Sequence, residues 1–355
     1  MSTPIRKVLI SAAGPVSNLS VVSTTVPSPP KHNVQVAVQY SAFSGADVEL
    51  RLGRLPFQKP PPLTPGYSLV GRVVANGAGA TRFAPGTPVA ALTVYDSQAE
   101  RLNLPERYLV PLPAALAADD GLRRAAALVL DWSTAYAMAH RVARVRAGQR
   151  VFVHGLSGAV GYALLVLCRA LGAEVFGTAS ERNHAALREL GATPFVYSDK
   201  AWVREMEARG GAHAVFDPLG FESWDESYAI LATGTGGPSA AGEQGAEGGI
   251  LVGYGFNQAA LGGEEKRSIV PPVAKMMARN LKVWDRRRTA IFSISRDDKH
   301  FAEDLEALFA MLAEGKIDMP IKKVYDMTTE SMREAHESWG KVPGMGAMLV
   351  KVAED

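Results

Sequence analysis

The chain has 355 residues, 47% of them hydrophobic and 21% charged, with a formal net charge of +2. That balance belongs to a soluble globular protein long enough for two domains; it excludes a disordered chain and gives no electrostatic reason for a nucleic-acid or anionic-membrane partner. The lone cysteine, Cys168, excludes a disulfide framework within the chain. With no signal-peptide core and no apolar run long enough to cross a bilayer, the expected compartment is reducing and cytoplasmic.

Residues 1–125 read as mostly β. Segments 7–10 and 34–40 are strand-like, the second alternating Val34, Val36 and Val38 with Gln35 and Gln39. A proline cluster at 26–30 separates them. The proline-rich stretch 56–66 reads as a rigid loop within the domain rather than a polyproline ligand. Strands resume at 68–74 and 88–93, joined by the turn Asn76-Gly77-Ala78-Gly79. From Leu122 the pattern becomes helical, and the apolar stretch 125–138 leads into the next domain.

Residues 151–180 form one βαβ unit. Val151-Phe152-Val153 is a buried strand, and Gly155, Gly158 and Gly161 follow as G-x-x-G-x-x-G. An apolar helix at 160–171 ends at Gly172, and a second strand runs over 175–178. Glycines in this setting let a dinucleotide pyrophosphate approach the helix N-terminus, where N–H groups and the helix dipole favour negative charge. Candidate cofactor contacts on the turn are Gly155, Ser157, Gly158, Ala159, Val160 and Gly161. The second strand ends at Ser180, with no acid before Glu181 and with Arg182 beside it. A hydroxyl and a guanidinium suit the 2′-phosphate of NADP, which a carboxylate would repel. Ser180 equally suits the cap of the following helix.

Further βα alternation predicts helices at 184–190 and 223–231 and strands at 194–197, 214–216, 250–252 and 281–284. Six parallel strands with intervening helices make a doubly wound sheet. The glycine-rich stretch 233–249 reads as a solvated surface loop. A helix at 299–314 presents Phe301, Leu305, Leu308 and Leu312 on one face. Strands at 322–325 and 347–352 close the chain and rejoin the first domain. The expected division is 1–125, 126–295 and 296–355, the middle segment binding NADP.

Several short motifs share their order with one family: the glycine turn, Pro65-Gly66 before a strand, Thr134-Ala135-Tyr136, Phe216-Asp217-Pro218-Leu219-Gly220, Gly253-Tyr254-Gly255 and Phe301-Ala302-Glu303-Asp304-Leu305. On these the chain resembles the zinc-independent quinone oxidoreductase branch of the medium-chain dehydrogenase/reductase superfamily. The resemblance implies an α/β protein with a GroES-like β-rich catalytic domain and a Rossmann domain, assembled as a homodimer. It implies cofactor roles for Thr134, Gly253 and Tyr254, and it places Ser198 where relatives set a tyrosine near the adenosine phosphate. Zinc-dependent relatives carry a cysteine where this chain has Ser44 and Gly-His-Glu where it has Gly66-Tyr67-Ser68. The seven histidines show no ligand spacing, so no metal is expected.

Without a Lewis acid, hydride addition to an enone or quinone is easier than ketone reduction, because the charge spreads onto oxygen and needs only hydrogen bonds and a proton. Ser44 and Tyr67 are the first candidates for that contact, with Tyr95 and Tyr254 from other loops, against plain lining and protonation by water. His154 ends a buried strand and reads as structural. The run Arg286-Arg287-Arg288 reads as a strand edge or subunit contact. A pathway-specific enoyl reductase and a non-catalytic NADPH- or partner-binding protein remain the alternatives.

Overall fold

Alternate valines along one strand and unbroken apolar runs along others sort this chain into two sheets. In the computed structural model, which describes residues 2–234, 248–262 and 267–353, one unit comprises Met1–Ser133 with Ile294–Asp355 and the other Thr134–Ser293. The first unit holds β1 (Ser2–Ile10), β2 (Leu19–Pro27), β3 (Asn33–Phe43), β4 (Ser68–Asn76), β5 (Pro88–Leu92), β6 (Arg101–Pro105) and β7 (Val110–Pro111). The second holds β8 (Arg150–His154), β9 (Glu174–Ala179), β10 (Ala192–Val196), β11 (Ala214–Asp217), β12 (Ile250–Gly253) and β13 (Arg288–Ile291). Strands β14 (Ile321–Asp326) and β15 (Ala347–Lys351) return to the first unit.

In that unit β1 and β2 form an antiparallel pair, and the larger sheet runs β14-β15-β3-β4-β5-β7 with β6 also paired to β3. Val34, Val36 and Val38 are fully buried. Gln35, expected to face water, is buried too, because its amide donates to the Pro27 carbonyl and to Asn103 on β6. Strands β2 and β6 were not visible in the sequence: Ser20, Ser23, Thr24 and Thr25 dilute the apolar signal of β2. The amphipathic helix Thr329–Ser338, capped by the Thr328 hydroxyl on the Ser331 N–H, was likewise not foreseen. The helix Phe301–Ala313 buries Phe301, Leu305, Leu308, Phe309 and Leu312, the face its spacing predicts.

The second unit is a parallel sheet in the order β10-β9-β8-β11-β12-β13. The connections turn one way from β8 through β10 and the other way from β11 through β13. The sheet's topological switch point therefore lies between β8 and β11, where open α/β sheets bind ligands. One expected strand is corrected: residues 281–284 are not a strand, and the last strand is Arg288–Ile291. Leu281, Val283 and Trp284 are 78%, 90% and 78% exposed, so their apolar character belongs to a surface rather than to the sheet. The helix Val270–Arg279 before them was also missed, since Pro271 and Pro272 read as breakers yet sit in its first turn. Of the glycine-rich stretch 233–249, residues 235–247 lie outside the described residues.

Helical residues run from Asp119 to Val142, with π-helical turns at Leu128–Trp132 and Ala137–Val142. The first of these turns carries Asp131 into the interior of the first unit, 4% exposed. Burial, reinforced by the Asp47 carboxyl and opposed by Lys322, pushes its pKa up to about 7. An unfolded aspartate titrates near 4, so between pH 4 and 7 the folded chain holds a proton that the unfolded chain has lost. This contribution to stability is complete below pH 4 and is lost as pH rises through 7. The variant Asp131→Asn cannot ionise, so it should gain on the wild type by roughly 1–3 kcal/mol as pH rises from 4 to 8. Thermal melts at pH 4, 6 and 8 measure this, and a pH-independent difference would contradict it.

Candidate functional site

The glycine turn follows β8 at the switch point. Gly155 has a φ of +76° and nothing within 4 Å of where a Cβ would stand, so the backbone there faces open space. Gly161 is needed for the opposite reason: a Cβ on it would lie 2.0 Å from the Gly155 carbonyl oxygen. Gly158 caps the helix Ala159–Ala170 and offers no side chain to its first turn. The N–H of Gly155 goes to Thr178 Oγ1, that of Leu156 to the Thr178 carbonyl and that of Gly158 to the Gly155 carbonyl. The N–H groups of Ser157, Ala159, Val160 and Gly161 are left without a partner among the described residues. Unpartnered N–H groups on a helix N-terminus, with no side chain in the way, fit a pyrophosphate.

Apart from Thr134, the other candidate cofactor residues sit at or just past the carboxyl ends of strands of this sheet. Ser180 follows β9 and leads the turn Glu181–Asn183, to which its hydroxyl gives no cap bond. Its alternative role as a helix cap is therefore not taken up. Arg182 and Ser198, the latter just past β10, are exposed. Gly253 ends β12 against the Trp224 ring, which a Cβ would meet at 2.5 Å. The Tyr254 N–H donates to the Asp217 carbonyl, so the ends of β11 and β12 are tied together. Thr134, 7% exposed, lies on the helix Ser133–Tyr136. His154 is buried within hydrogen bonds and touches no open space, as its position at a strand end leads one to expect.

In the first unit two of the three candidate hydroxyls, Ser44 and Tyr67, share a buried neighbour that sequence reasoning did not single out. Ser44 caps the helix Gly45–Arg51; its Oγ accepts from the Ala46 N–H at 3.2 Å and donates to Asp47 Oδ2 at 3.3 Å. The Ser44 N–H donates to the same Oδ2 at 2.9 Å, completing a reciprocal capping box. Asp47 Oδ1 accepts from the Gly66 N–H at 3.0 Å and from the Gln98 amide at 3.3 Å. These donors favour the anion, but complete burial wins and pushes the carboxyl up to about 6. The signal was present in Ser44-Gly45-Ala46-Asp47, a hydroxyl followed three residues later by an acid.

Gly66 has a φ of +108°, and a Cβ on it would come within 2.2 Å of Ser97 Oγ. The loop after β5 thus lies directly on residues 64–67, and the Tyr67 carbonyl accepts the N–H groups of Thr93 and Val94. Burial, then the nearby Tyr95 and Asp47, raise the Tyr67 phenol above its usual range, so it stays protonated. Tyr95 is held on its other side: its hydroxyl accepts the Lys59 N–H at 3.1 Å, and the Lys59 ammonium lies 4.8 Å from its ring. Val94 and Asp96, on either side of Tyr95, both adopt φ of +72°. Left-handed backbone is a true outlier for a β-branched residue, and such strain concentrates at functional loops. Among the described residues no three His, Cys, Asp or Glu side chains converge as metal ligands.

The model of the alcohol dehydrogenase GroES-like domain matches residues 30–114, and that of the zinc-binding dehydrogenase family matches residues 159–261. The chain is 31% identical over 234 residues to the synaptic vesicle membrane protein VAT-1 homolog of Rattus norvegicus, covering 64% of this chain and 57% of that one. It therefore spans less than two thirds of that relative's length. It is 24% identical to a probable quinone oxidoreductase of Schizosaccharomyces pombe over 98% of this chain and 97% of the relative. Its fold matches the crystal structure of Escherichia coli quinone oxidoreductase complexed with NADPH, with a TM-score of 0.78 and 19% identity over 98% of this chain and 99% of that one. The chain belongs to the medium-chain dehydrogenase/reductase superfamily, in its quinone oxidoreductase-like branch.

Proposed function

We propose that this protein is an NADPH-dependent reductase that passes hydride to the conjugated C=C of an enone or to a quinone, without zinc. One observation carries the reading. An uncapped glycine turn lies in the same sheet as a β9 end bearing Ser180 and Arg182, with no carboxylate before Glu181. The first feature fits a pyrophosphate and the second a 2′-phosphate. The N–H groups of Ser157, Ala159, Val160 and Gly161 bind the diphosphate, Ser180 and Arg182 the 2′-phosphate with Ser198 beside them, and Thr134, Gly253 and Tyr254 the remainder. When bound, the nicotinamide supplies the hydride.

The first unit's hydroxyls support the choice of acceptor. Ser44 spends its proton on Asp47, so its part is to hold the helix start and the carboxyl beneath it. Tyr67 keeps its phenol proton well above neutral pH and is the donor of choice, with Tyr95 as its neighbour. A hydroxyl and a phenol are neutral donors and weak metal ligands compared with the cysteine and histidine of zinc enzymes. They stabilise delocalised charge better than the localised charge of an alkoxide. Within this chemistry a pathway-specific enoyl reductase would differ only in its substrate pocket. The compartment we assign is cytoplasmic, with no nucleic-acid or membrane partner; no described helix is long and apolar enough to cross a bilayer. A homodimer is supported by exposed apolar side chains gathered on one stretch of the second unit: Val270, Met277, Leu281, Val283, Trp284 and Ile291.

NADPH should bind at least about tenfold more tightly than NADH, and Arg182→Ala should remove most of that difference while leaving NADH unchanged. Fluorescence titration reads both, and a preference for NADH would refute the cofactor assignment. With NADPH, quinones and enones should turn over while simple ketones do not, and chelation should leave the rate intact. Tyr67→Phe should lower kcat by roughly 10²-fold; an unchanged kcat would make water the proton source. Binding of NADPH with no turnover on any acceptor class would identify a non-catalytic binding protein instead. Light scattering should report a dimer that Trp284→Glu weakens, and a wild-type monomer would remove the subunit-contact role.

A further inference from the structure

Behind the glycine turn runs a buried chain of polar groups that phosphate binding does not itself use. The Gly155 N–H meets Thr178 Oγ1 at 3.2 Å, and that oxygen lies 3.3 Å from His154 Nδ1. On the other side of the ring, His154 Nε2 lies 3.0 Å from Ser227 Oγ, which donates to Asp217 Oδ2 at 2.6 Å. Ser223 Oγ donates to the same carboxylate oxygen at 2.7 Å, and the Leu219 N–H takes Oδ1 at 2.7 Å. Thr178, His154, Ser227 and Asp217 are all at most 3% exposed.

The proton on each of these atoms can be assigned by counting. Ser227 has one hydroxyl proton and gives it to Asp217, so its oxygen must accept from His154, which therefore carries its proton on Nε2. A second ring proton is disfavoured: burial lowers the His154 pKa, Lys200 adds to that, and Asp217 and Glu226 only partly oppose it. Nδ1 is then an acceptor, and it takes the single hydroxyl proton of Thr178. That leaves the Thr178 oxygen as acceptor for the Gly155 N–H. Every hydrogen bond in the chain points from the turn toward Asp217.

We infer that His154 is a positioning residue for the dinucleotide turn. It locks the Thr178 hydroxyl in the one orientation that engages the Gly155 N–H, so that the turn holds its shape and presents the four neighbouring N–H groups to the phosphates. Asp217, on β11 across the switch point, sets this orientation through Ser227 by fixing the ring tautomer. The inference rests on the dinucleotide reading of the turn. It adds that cofactor affinity depends on a carboxylate that accepts hydrogen bonds from the Ser223 and Ser227 hydroxyls and the Leu219 N–H.

The test has two readouts. Long-range nitrogen–proton NMR of the wild type, without cofactor, should show a neutral His154 protonated on Nε2. Thr178→Val preserves shape but removes both bonds; it should weaken NADPH about tenfold, the loss of roughly one well-placed hydrogen bond. Thr178→Ser, which restores the hydroxyl, should stay within about twofold of the wild type. An Nδ1-protonated or doubly protonated ring overturns the positioning role, as does Thr178→Val binding NADPH like the wild type. A wild type with the expected tautomer that binds neither NADPH nor NADH overturns the dinucleotide reading itself, and the role in cofactor binding with it.

Discussion

The second unit depends on how closely a helix can approach the strand before it. At Gly161 the helix backbone comes so near the turn that an added Cβ would stand 2.0 Å from the Gly155 carbonyl oxygen. On the other side, a Cβ added to Gly177 of β9 would stand 2.0 Å from the Val153 carbonyl oxygen. Strand, turn, helix and second strand are thus drawn together by missing side chains rather than by added contacts. The approach leaves N–H groups at the turn unpartnered, which would be unfavourable if they stayed dry and unbound. The same constraint that closes the fold leaves these N–H groups for the phosphates of the cofactor proposed above.

The first unit solves a different problem by a related device. Helix Gly45–Arg51 must start beside the loop at residues 64–67, and Asp47 joins the two by accepting from the Ser44 N–H and hydroxyl on one oxygen and from Gly66 and Gln98 on the other. A carboxyl with so many donors in water would be strongly acidic; buried, it is pushed up to about 6. Desolvation therefore exceeds the sum of the hydrogen bonds here. The group holds its partners in place whether or not it carries a charge, provided that the capping box and the Gly66 contact persist.

The sheet topology and the glycine turn were legible because their signals are local: apolar runs three or four residues long, and glycines at fixed spacing. The strand over 281–284 failed for the reason the others succeeded. An apolar run there was read as burial, whereas Leu281, Val283 and Trp284 cover a surface. Strand β2 and the helix Val270–Arg279 were missed because hydroxyl residues and prolines mask period and propensity. Ser44 and Tyr67 could be named from the order of motifs, but not Asp47, Asp131 or the Thr178–His154–Ser227–Asp217 chain. A buried polar group becomes meaningful only when its partners are known; Ser44 stands three residues from Asp47, but Gly66, Gln98 and, for His154, its partner Ser227 lie far away in sequence.

Whether Tyr67 can serve as proton donor turns on a balance that its surroundings tilt both ways. Burial and the neighbouring Tyr95 and Asp47 raise its pKa, so the proton is held at neutral pH but is given up less readily. For an alkoxide formed from a ketone, the limiting need is stabilisation of charge before the proton moves, which a weak neutral donor meets poorly. For an enolate or a quinol anion the charge is already spread, and the need is only for a proton held in place. A phenol is a stronger acid than the α-carbon of the ketone that an enolate becomes, so delivery remains downhill even from a raised pKa. The features that make this group a poor substitute for zinc in ketone reduction make it adequate for conjugate reduction. That asymmetry, rather than the size of any pocket, is the physical basis for the acceptor class proposed above.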